Sequence, residues 1–346
     1  MYENTNSRKE RESAMAKLTM KEIAKLANVS QSTVSRVING NEKVNEDAAK
    51  RVLKVIEDVG YIPNSAAQTL KRSQSKIIGV CVTETYNPYF VELVDVLESE
   101  ARKLGYSILL HNSKHNPITE WESIQNFIAR QADGVICIPT GEYNLKRMNK
   151  LGIPTVIITQ NHQSLDSVGL DHMQAGKIAA EKFIHAGHKK FGFIGTALDD
   201  KFLGYKSVLY ENGFEFDLNN FIRVEETSTN NYLIRQDIEA YLKEKQEQLD
   251  FTCIFAGNDL VALEFLEMAQ ERKIRIPEDI SLIGFDDTYL SKIMGISSIH
   301  QPIEDMVKTT LEVLLNRIEN EVSTEKVDIK LEPVLIERTS SNYKKV

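Results

Sequence analysis

Residues 19–40 read Thr-Met-Lys-Glu-Ile-Ala-Lys-Leu-Ala-Asn-Val-Ser-Gln-Ser-Thr-Val-Ser-Arg-Val-Ile-Asn-Gly. The pattern predicts two short helices across a tight turn. Thr19 is placed to cap the first helix, with Glu22 three residues on to complete a capping box. Ile23, Ala24 and Ala27 form one apolar face, and Asn28-Val29 supplies the turn. Ser30 caps the second helix, and Val34, Val37 and Ile38 fall at i, i+3 and i+4 on its buried side. Gln31, Ser32, Ser35 and Arg36 are left outward. Such short donors and acceptors, with one guanidinium, suit base edges and phosphates when a helix lies in the major groove. The plainer alternative is a helical hairpin with a solvated polar face.

A third helix follows. Asn45 is its cap, Glu46 and Asp47 sit at the positive end of its dipole, and Gly60 marks its stop. Val52, Val55, Ile56 and Val59 give it an apolar stripe. Together, the run IAKLANVSQSTVSRVING at 23–40 and GYIPNSAAQTL at 60–70 resemble the lactose-repressor and galactose-repressor family of bacterial transcription regulators. The resemblance extends over about residues 18–340.

Charge is unevenly distributed. The formal net charge is −8. Residues 1–76 hold 14 Lys+Arg against 9 Asp+Glu, whereas the remaining 270 residues hold 28 against 41. A basic head on an acidic body suits a chain that meets phosphates at one end only. No apolar run approaches the length of a membrane span, and no apolar signal-peptide core is seen at the start. A cytoplasmic location is therefore expected. Residues 1–17 read as a polar, disordered tail, with Met15 a second candidate start. Cys81, Cys137 and Cys253 each lie in an apolar stretch, and their odd number fits reduced core residues, not disulfides or a zinc site.

From Lys76 onward, short β-rich runs alternate with helical ones. Strands are expected at Ile77–Val82, Tyr106–Leu110, Gly134–Ile138, Thr155–Thr159, Phe191–Ile194, Phe251–Phe255 and Ser281–Phe285. Helices are expected at Phe90–Leu104, Gln174–Ala186, Asp259–Arg272 and Met306–Ile318. The alternation calls for parallel sheets covered by helices, and the length for two lobes. The expected fold is thus a small all-α helix-turn-helix head plus an α/β body of two doubly wound parallel-sheet lobes. The resemblance implies that the body is of periplasmic-binding-protein type and that each lobe takes chain from both sides of about residue 160. The expected divisions are the tail at 1–17, the helix-turn-helix domain at 18–63, a hinge helix and linker at 64–75, a two-lobed effector-binding and dimerisation domain at 76–340, and a tail at 341–346.

Ligands of open α/β sheets sit at the carboxyl ends of strands, so an effector is expected between the lobes. Several segments there match the family's pattern. Asn87-Pro88-Tyr89-Phe90 offers rings that stack on a sugar or simply open a helix. Asn258-Asp259, in AGNDLVAL, and Asp286-Asp287, in GFDD, each follow a strand, and Gln301-Pro302 lies near the lobe crossing. Carboxylate and amide groups hold vicinal hydroxyls through paired hydrogen bonds. The resemblance implies effector contacts by Tyr89, Phe90, Lys201, Asn258, Asp286 and Gln301; Asp259 is read as a helix cap. Two departures bear on the ligand. Lys201 stands where the family usually has an arginine, and Thr159-Gln160 replaces the common Asp-Arg.

For DNA, the resemblance implies Gln31, Ser32 and Arg36 in a major-groove half-site. It places Thr33, Ser35, Asn39 and Lys43 nearer the phosphates, counts Thr19 and Ser30 among the DNA-binding residues, and puts Asn64, Ala67 and Leu70 in the hinge. Leu70 would wedge into the minor groove and kink the duplex; Gln68 stands where an arginine is frequent. A helix so short is marginal alone and forms only when two copies pair on DNA.

No phosphate-cradling glycine loop, Gly-x-Ser-x-Gly elbow or His-Glu-x-x-His is found, so no catalysis and no cofactor are expected. The pairs His111/His115 and His185/His188 are read as structural, not metal-binding, and Trp121 as a core residue. The sequence thus points to a cytoplasmic, homodimeric, ligand-responsive repressor of a sugar-utilisation operon. Its expected partners are a near-palindromic double-stranded operator and a sugar or sugar-phosphate effector, with no membrane and no metal. After Arg338 too few residues remain for a tetramerising leucine-heptad tail. Alternatives are a sugar-binding protein without a DNA role and a regulator that uses a phosphoprotein co-repressor.

Overall fold

The computed structural model describes residues 18–38, 44–61, 74–196, 199–225, 231–246, 248–320 and 325–342. The chain divides into two units between Ser75 and Lys76.

In the first unit, α1 (Met20–Leu26), α2 (Gln31–Ile38) and α3 (Glu46–Val59) enclose one small core. Ile23, Ala24, Ala27, Val34 and Val52 are buried at its centre. The local signals work as their chemistry dictates. Thr19 accepts from the Glu22 amide while its own amide donates to Glu22 Oε2 at 2.6 Å, a complete capping box. The backbone and hydroxyl donors of Thr19 hold the Glu22 carboxyl below its usual range. Asn28 turns the chain at φ 52°, and Gly60 ends α3 in the left-handed region at φ 62°. Arg51 Nε donates to the Ala27 carbonyl at 3.2 Å and ties α3 to the end of α1.

The second unit runs β1 (Ile77–Val82), α4 (Pro88–Lys103), β2 (Ser107–Asn112), α5 (Pro117–Ala129), β3 (Gly134–Cys137), α6 (Glu142–Met148), β4 (Thr155–Thr159) and β5 (Asp166–Leu170). It continues with α7 (His172–His185), β6 (Phe191–Gly195), α8 (Asp200–Glu211), β7 (Phe221–Arg223), α9 (Asn231–Glu244), β8 (Cys253–Ala256), α10 (Asp259–Glu271) and β9 (Ser281–Asp286). It closes with α11 (Tyr289–Ile293), β10 (Ser297–His300), α12 (Ile303–Glu319), β11 (Asp328–Leu331) and β12 (Val334–Ile336). Among the described residues the strands form two six-stranded sheets, in the orders β11-β5-β4-β3-β1-β2 and β12-β10-β9-β8-β6-β7. Every pairing is parallel except that of β12 with β10.

The partition between lobes corrects one expectation. The first sheet does take chain from both sides of residue 160, because β11 pairs with β5 and α12 buries Met306, Val307, Leu311 and Leu314 against Leu93 and Leu97. The second sheet does not: its strands begin with β6 at Phe191 and all the others lie beyond it. The chain crosses after Leu170, near Gln301-Pro302, and again between Leu331 and Val334. The first crossing is later than expected because β5, Asp-Ser-Val-Gly-Leu, is too polar to read as a strand.

Each sheet reverses its order once, between β1 and β3 in one lobe and between β6 and β8 in the other. In a doubly wound sheet such a reversal opens a crevice at the carboxyl ends of the two strands. Here the two crevices face one another.

Candidate functional site

The head presents a polar helix. Gln31, Ser32 and Arg36 are exposed on α2, and Thr33 and Ser35 are half-buried. Ser30 Oγ accepts from the Thr33 amide at 3.1 Å and links to the Ser32 and Thr33 hydroxyls at 2.7 and 2.8 Å. Those hydroxyls are therefore partly committed to opening the helix, whereas Arg36 has no partner among the described residues. Thr19, Ser30, Gln31, Ser32, Thr33, Ser35 and Arg36 all belong to this unit. Asn39, Lys43, Asn64, Ala67, Gln68 and Leu70 lie outside the described residues.

In the body, both crevices open into one cavity of about 370 Å³. Thr83 and Glu84 follow β1, Pro139 and Thr140 follow β3, Thr196 follows β6 and Asn258 follows β8, and all six line it. Glu84 Oε2, His115 Nε2, Thr140 Oγ1 and His172 Nε2 are buried there with no hydrogen-bond partner among the described residues. Buried polar atoms are otherwise almost always satisfied, so four orphans in one cavity mark a place where a ligand completes them. Thr159, a β-branched residue at the wall, is held at φ 74°, backbone strain of the kind concentrated at binding sites. Its backbone lies beside the His172 imidazole. Burial first, and then Lys201, push that imidazole down to about 3, so it is neutral at pH 7.

Lys201 stands at the start of α8, buried, with Nζ 3.1 Å from Asp199 Oδ1 and 4.4 Å from the centre of the Phe285 ring. Two glycines set its position: a Cβ on Gly176 of α7 would collide with the Lys201 carbonyl oxygen, and one on Gly204 with that of Met173. The helices therefore pack backbone to backbone.

Of the residues expected to touch effector, Lys201 and Asn258 line the cavity. Tyr89, Asp286 and Gln301 form a buried chain beside it. Tyr89 Oη donates to Gln301 Oε1 at 3.1 Å, and Gln301 Nε2 donates to Asp286 Oδ1 at 2.7 Å. This chain links the first lobe to the second. Burial, reinforced by Asp259, pushes the Asp286 carboxyl well above the usual carboxylate range. Neither Tyr89 nor Phe90 lines the cavity; Asn87 caps α4 by accepting from the Tyr89 amide, so the segment opens a helix. Asp259 does not cap α10. Asn258 does, and Asp259 accepts from the Thr288 amide and hydroxyl and from Ser298, which burial accompanies with a shift up to about 6.

The sequence reading missed Glu84, Thr140 and His172, and took His115 as structural. His115 lines the cavity, with Nε2 3.9 Å from Glu84 Oε1. Only their places just beyond strand ends could have pointed to them. His188 is a core residue, bonded to Thr252 and Ser281 and pushed by burial down to about 4. Trp121 packs partly against the first lobe's core, under the Arg147 guanidinium at 3.4 Å. All three cysteines are free and buried. Among the described residues no His/Cys/Asp/Glu cluster could hold a metal ion, and no helix is long and apolar enough to cross a membrane.

Comparison with known proteins gives matches over nearly the whole chain. The sequence profile described as "Bacterial regulatory proteins, lacI family" matches residues 19–64, and that of a "Periplasmic binding protein-like domain" matches 180–341. The chain is 31% identical over 316 residues to "Catabolite control protein A" of Priestia megaterium, covering 88% of this chain and 93% of the relative. It is also 31% identical over 332 residues to "HTH-type transcriptional regulator KdgR" of Bacillus subtilis, covering 93% and 97%. Among solved structures, a lac repressor dimer bound to operator and the anti-inducer ONPF superposes with a TM-score of 0.80 at 22% identity, over 94% of this chain and 99% of that one.

Proposed function

The chain belongs to the lacI family of bacterial regulatory proteins, and from that membership we propose how its parts divide the work. It is a DNA-binding transcriptional regulator with an effector-binding body. The head lays α2 in a major groove, where Gln31, Ser32 and Arg36 read base edges while Thr19, Ser30, Thr33, Ser35, Asn39 and Lys43 hold phosphates. Two copies act as a homodimer on a near-palindromic operator, with Asn64, Ala67 and Leu70 of each hinge at its centre. The effector sits between the lobes on Lys201 and Asn258, and the Tyr89–Gln301–Asp286 chain transmits how far the lobes close. Occupancy shifts the population between two lobe arrangements and so biases hinge pairing.

The reading is of a cytoplasmic repressor of a sugar-utilisation operon, a binding protein and not a catalyst. One observation supports it above the rest: a cavity with four unsatisfied buried polar atoms on the same chain as a helix-turn-helix head. Capture of fragmented genomic DNA by the purified protein tests it. The expected result is enrichment of a palindromic fragment upstream of sugar genes, bound with a steep salt dependence. Absence of any enriched fragment would contradict it.

A further inference from the structure

The cleft's charges are unequal, and the inequality bears on what it holds. Resting on the reading of the cavity as the effector site, we propose that its ligand is a neutral or amino sugar. Phosphorylated and carboxylated sugars are rejected.

Three sets of observations carry this. First, the unsatisfied groups include strong acceptors. Glu84 Oε2 is a carboxylate oxygen, and the His172 imidazole, neutral at pH 7, has its buried Nε2 without a partner among the described residues, an acceptor in the tautomer protonated at Nδ1. Hydroxyl or ammonium donors complete both, whereas a phosphate or carboxylate brings only more acceptors.

Second, among the described lining residues no lysine or arginine is free to meet an anion. Among the described lining residues Lys201 is the only lysine or arginine, and its charge is committed to Asp199 at 3.1 Å. Glu225 is a third carboxylate in the lining, and the arginine nearest it, Arg223, is spent on it at 2.9 Å. Residues 197–198 and 226–230, which adjoin the site in sequence and lie outside the described residues, read Ala-Leu and Glu-Thr-Ser-Thr-Asn, with no lysine or arginine.

Third, the helix termini at the cleft carry their own acceptors. Helix N-termini bind phosphates through their open amides. The termini of α7, α8 and α10 reach this cleft, and a side-chain cap already occupies one amide of each: Asp171 accepts from the Gln174 amide, Asp199 from that of Lys201, and Asn258 from that of Val261. Two of those caps are carboxylates. An anion placed here would meet like charge at close range, a juxtaposition that suppresses wrong partners. Nor do the described lining residues include Phe, Tyr or Trp on which a flat base could stack.

The test uses the full chain and matched sets of sugars that share one ring: glucose, glucosamine, glucose 6-phosphate and glucuronate, with the corresponding galactose, mannose and ribose series. Thermal melting screens all of them, and titration calorimetry measures the hits. The expected result is at least one neutral or amino member that binds, with its phosphorylated and carboxylated counterparts at least about 100-fold weaker. An anionic member binding as tightly or more tightly overturns the inference and leaves the effector reading intact. No response in any series overturns both. Glu84→Gln is then expected to weaken the hit by about 10-fold or more while the ligand-free melting temperature stays near that of the parent. An unchanged affinity would place the sugar elsewhere and overturn the assignment.

Discussion

The head and the cleft are built by opposite routes. The head's buried residues, Ile23, Ala24, Ala27, Val34 and Val52, come from one short stretch, and each helix carries its own start or stop signal. The cleft takes Glu84, His115, Thr140 and His172 from four separate connections, brought together only by the order of two sheets. A small core has no reserve, so damage to it removes the whole function of the head. The cleft stands on two large cores, so its residues are free to change the ligand without changing the fold. In this chain the DNA-reading part is fixed by packing and the sensing part by unsatisfied chemistry.

The sharpest way to break that contrast is Val52→Asp, which buries an unpaired charge in the head. Gel-shift assays should find operator binding abolished while calorimetry finds sugar binding within about two-fold of the parent; loss of both would show that the units are not independent. Lys201→Ala reverses the test. It strips the counter-charge from partly buried Asp199 at the mouth of α8, with an expected cost of about 2 kcal/mol in the body's unfolding free energy by urea titration. Ligand binding should be lost, and the head's intrinsic affinity for half-site DNA should be unchanged.

A pH experiment probes the cleft alone. His172 titrates near 3 when folded and near 6.5 when unfolded, so the unfolded chain binds the extra proton as pH falls below 6.5. Stability conferred by the neutral imidazole is complete above that pH and is lost progressively toward 3. Relative to His172→Gln, the parent should therefore lose about 2 kcal/mol between pH 7 and pH 5 in urea melts. An increase would mean that the imidazole is charged in the fold. Least costly is Thr19→Ala, which removes the capping box and should destabilise the head by about 1 kcal/mol, read by hydrogen exchange in α1. Exchange in β1 and β6 should not respond.

How much was legible follows the same division. Helix periodicity and caps are local, so Thr19, Asn45 and Gly60 fall where their chemistry suggests. The apolar strands β1, β4 and β9 were likewise evident, because strands buried on both faces are written as continuous apolar runs. What escaped was short or polar: β5, β7 and the closing strands β10 to β12. With β5 went the true crossing point and therefore His172. Glu84 and Thr140 escaped because a loop residue after a strand carries no period at all. Asn258 took the capping role expected of Asp259, since either can cap a helix and only the partner across the sheet, here Thr288 and Ser298, decides which one does.

The central claim is that cleft and head communicate, and one measurement tests it most directly. Operator affinity of the intact dimer is measured by fluorescence anisotropy at fixed salt, with and without the sugar that stabilises the body. Sugar affinity is then measured with and without operator. Linkage requires the two ratios to agree. The account predicts a change of about five-fold or more, equal in both directions. A sugar that fills the cleft and leaves operator affinity unchanged would contradict it.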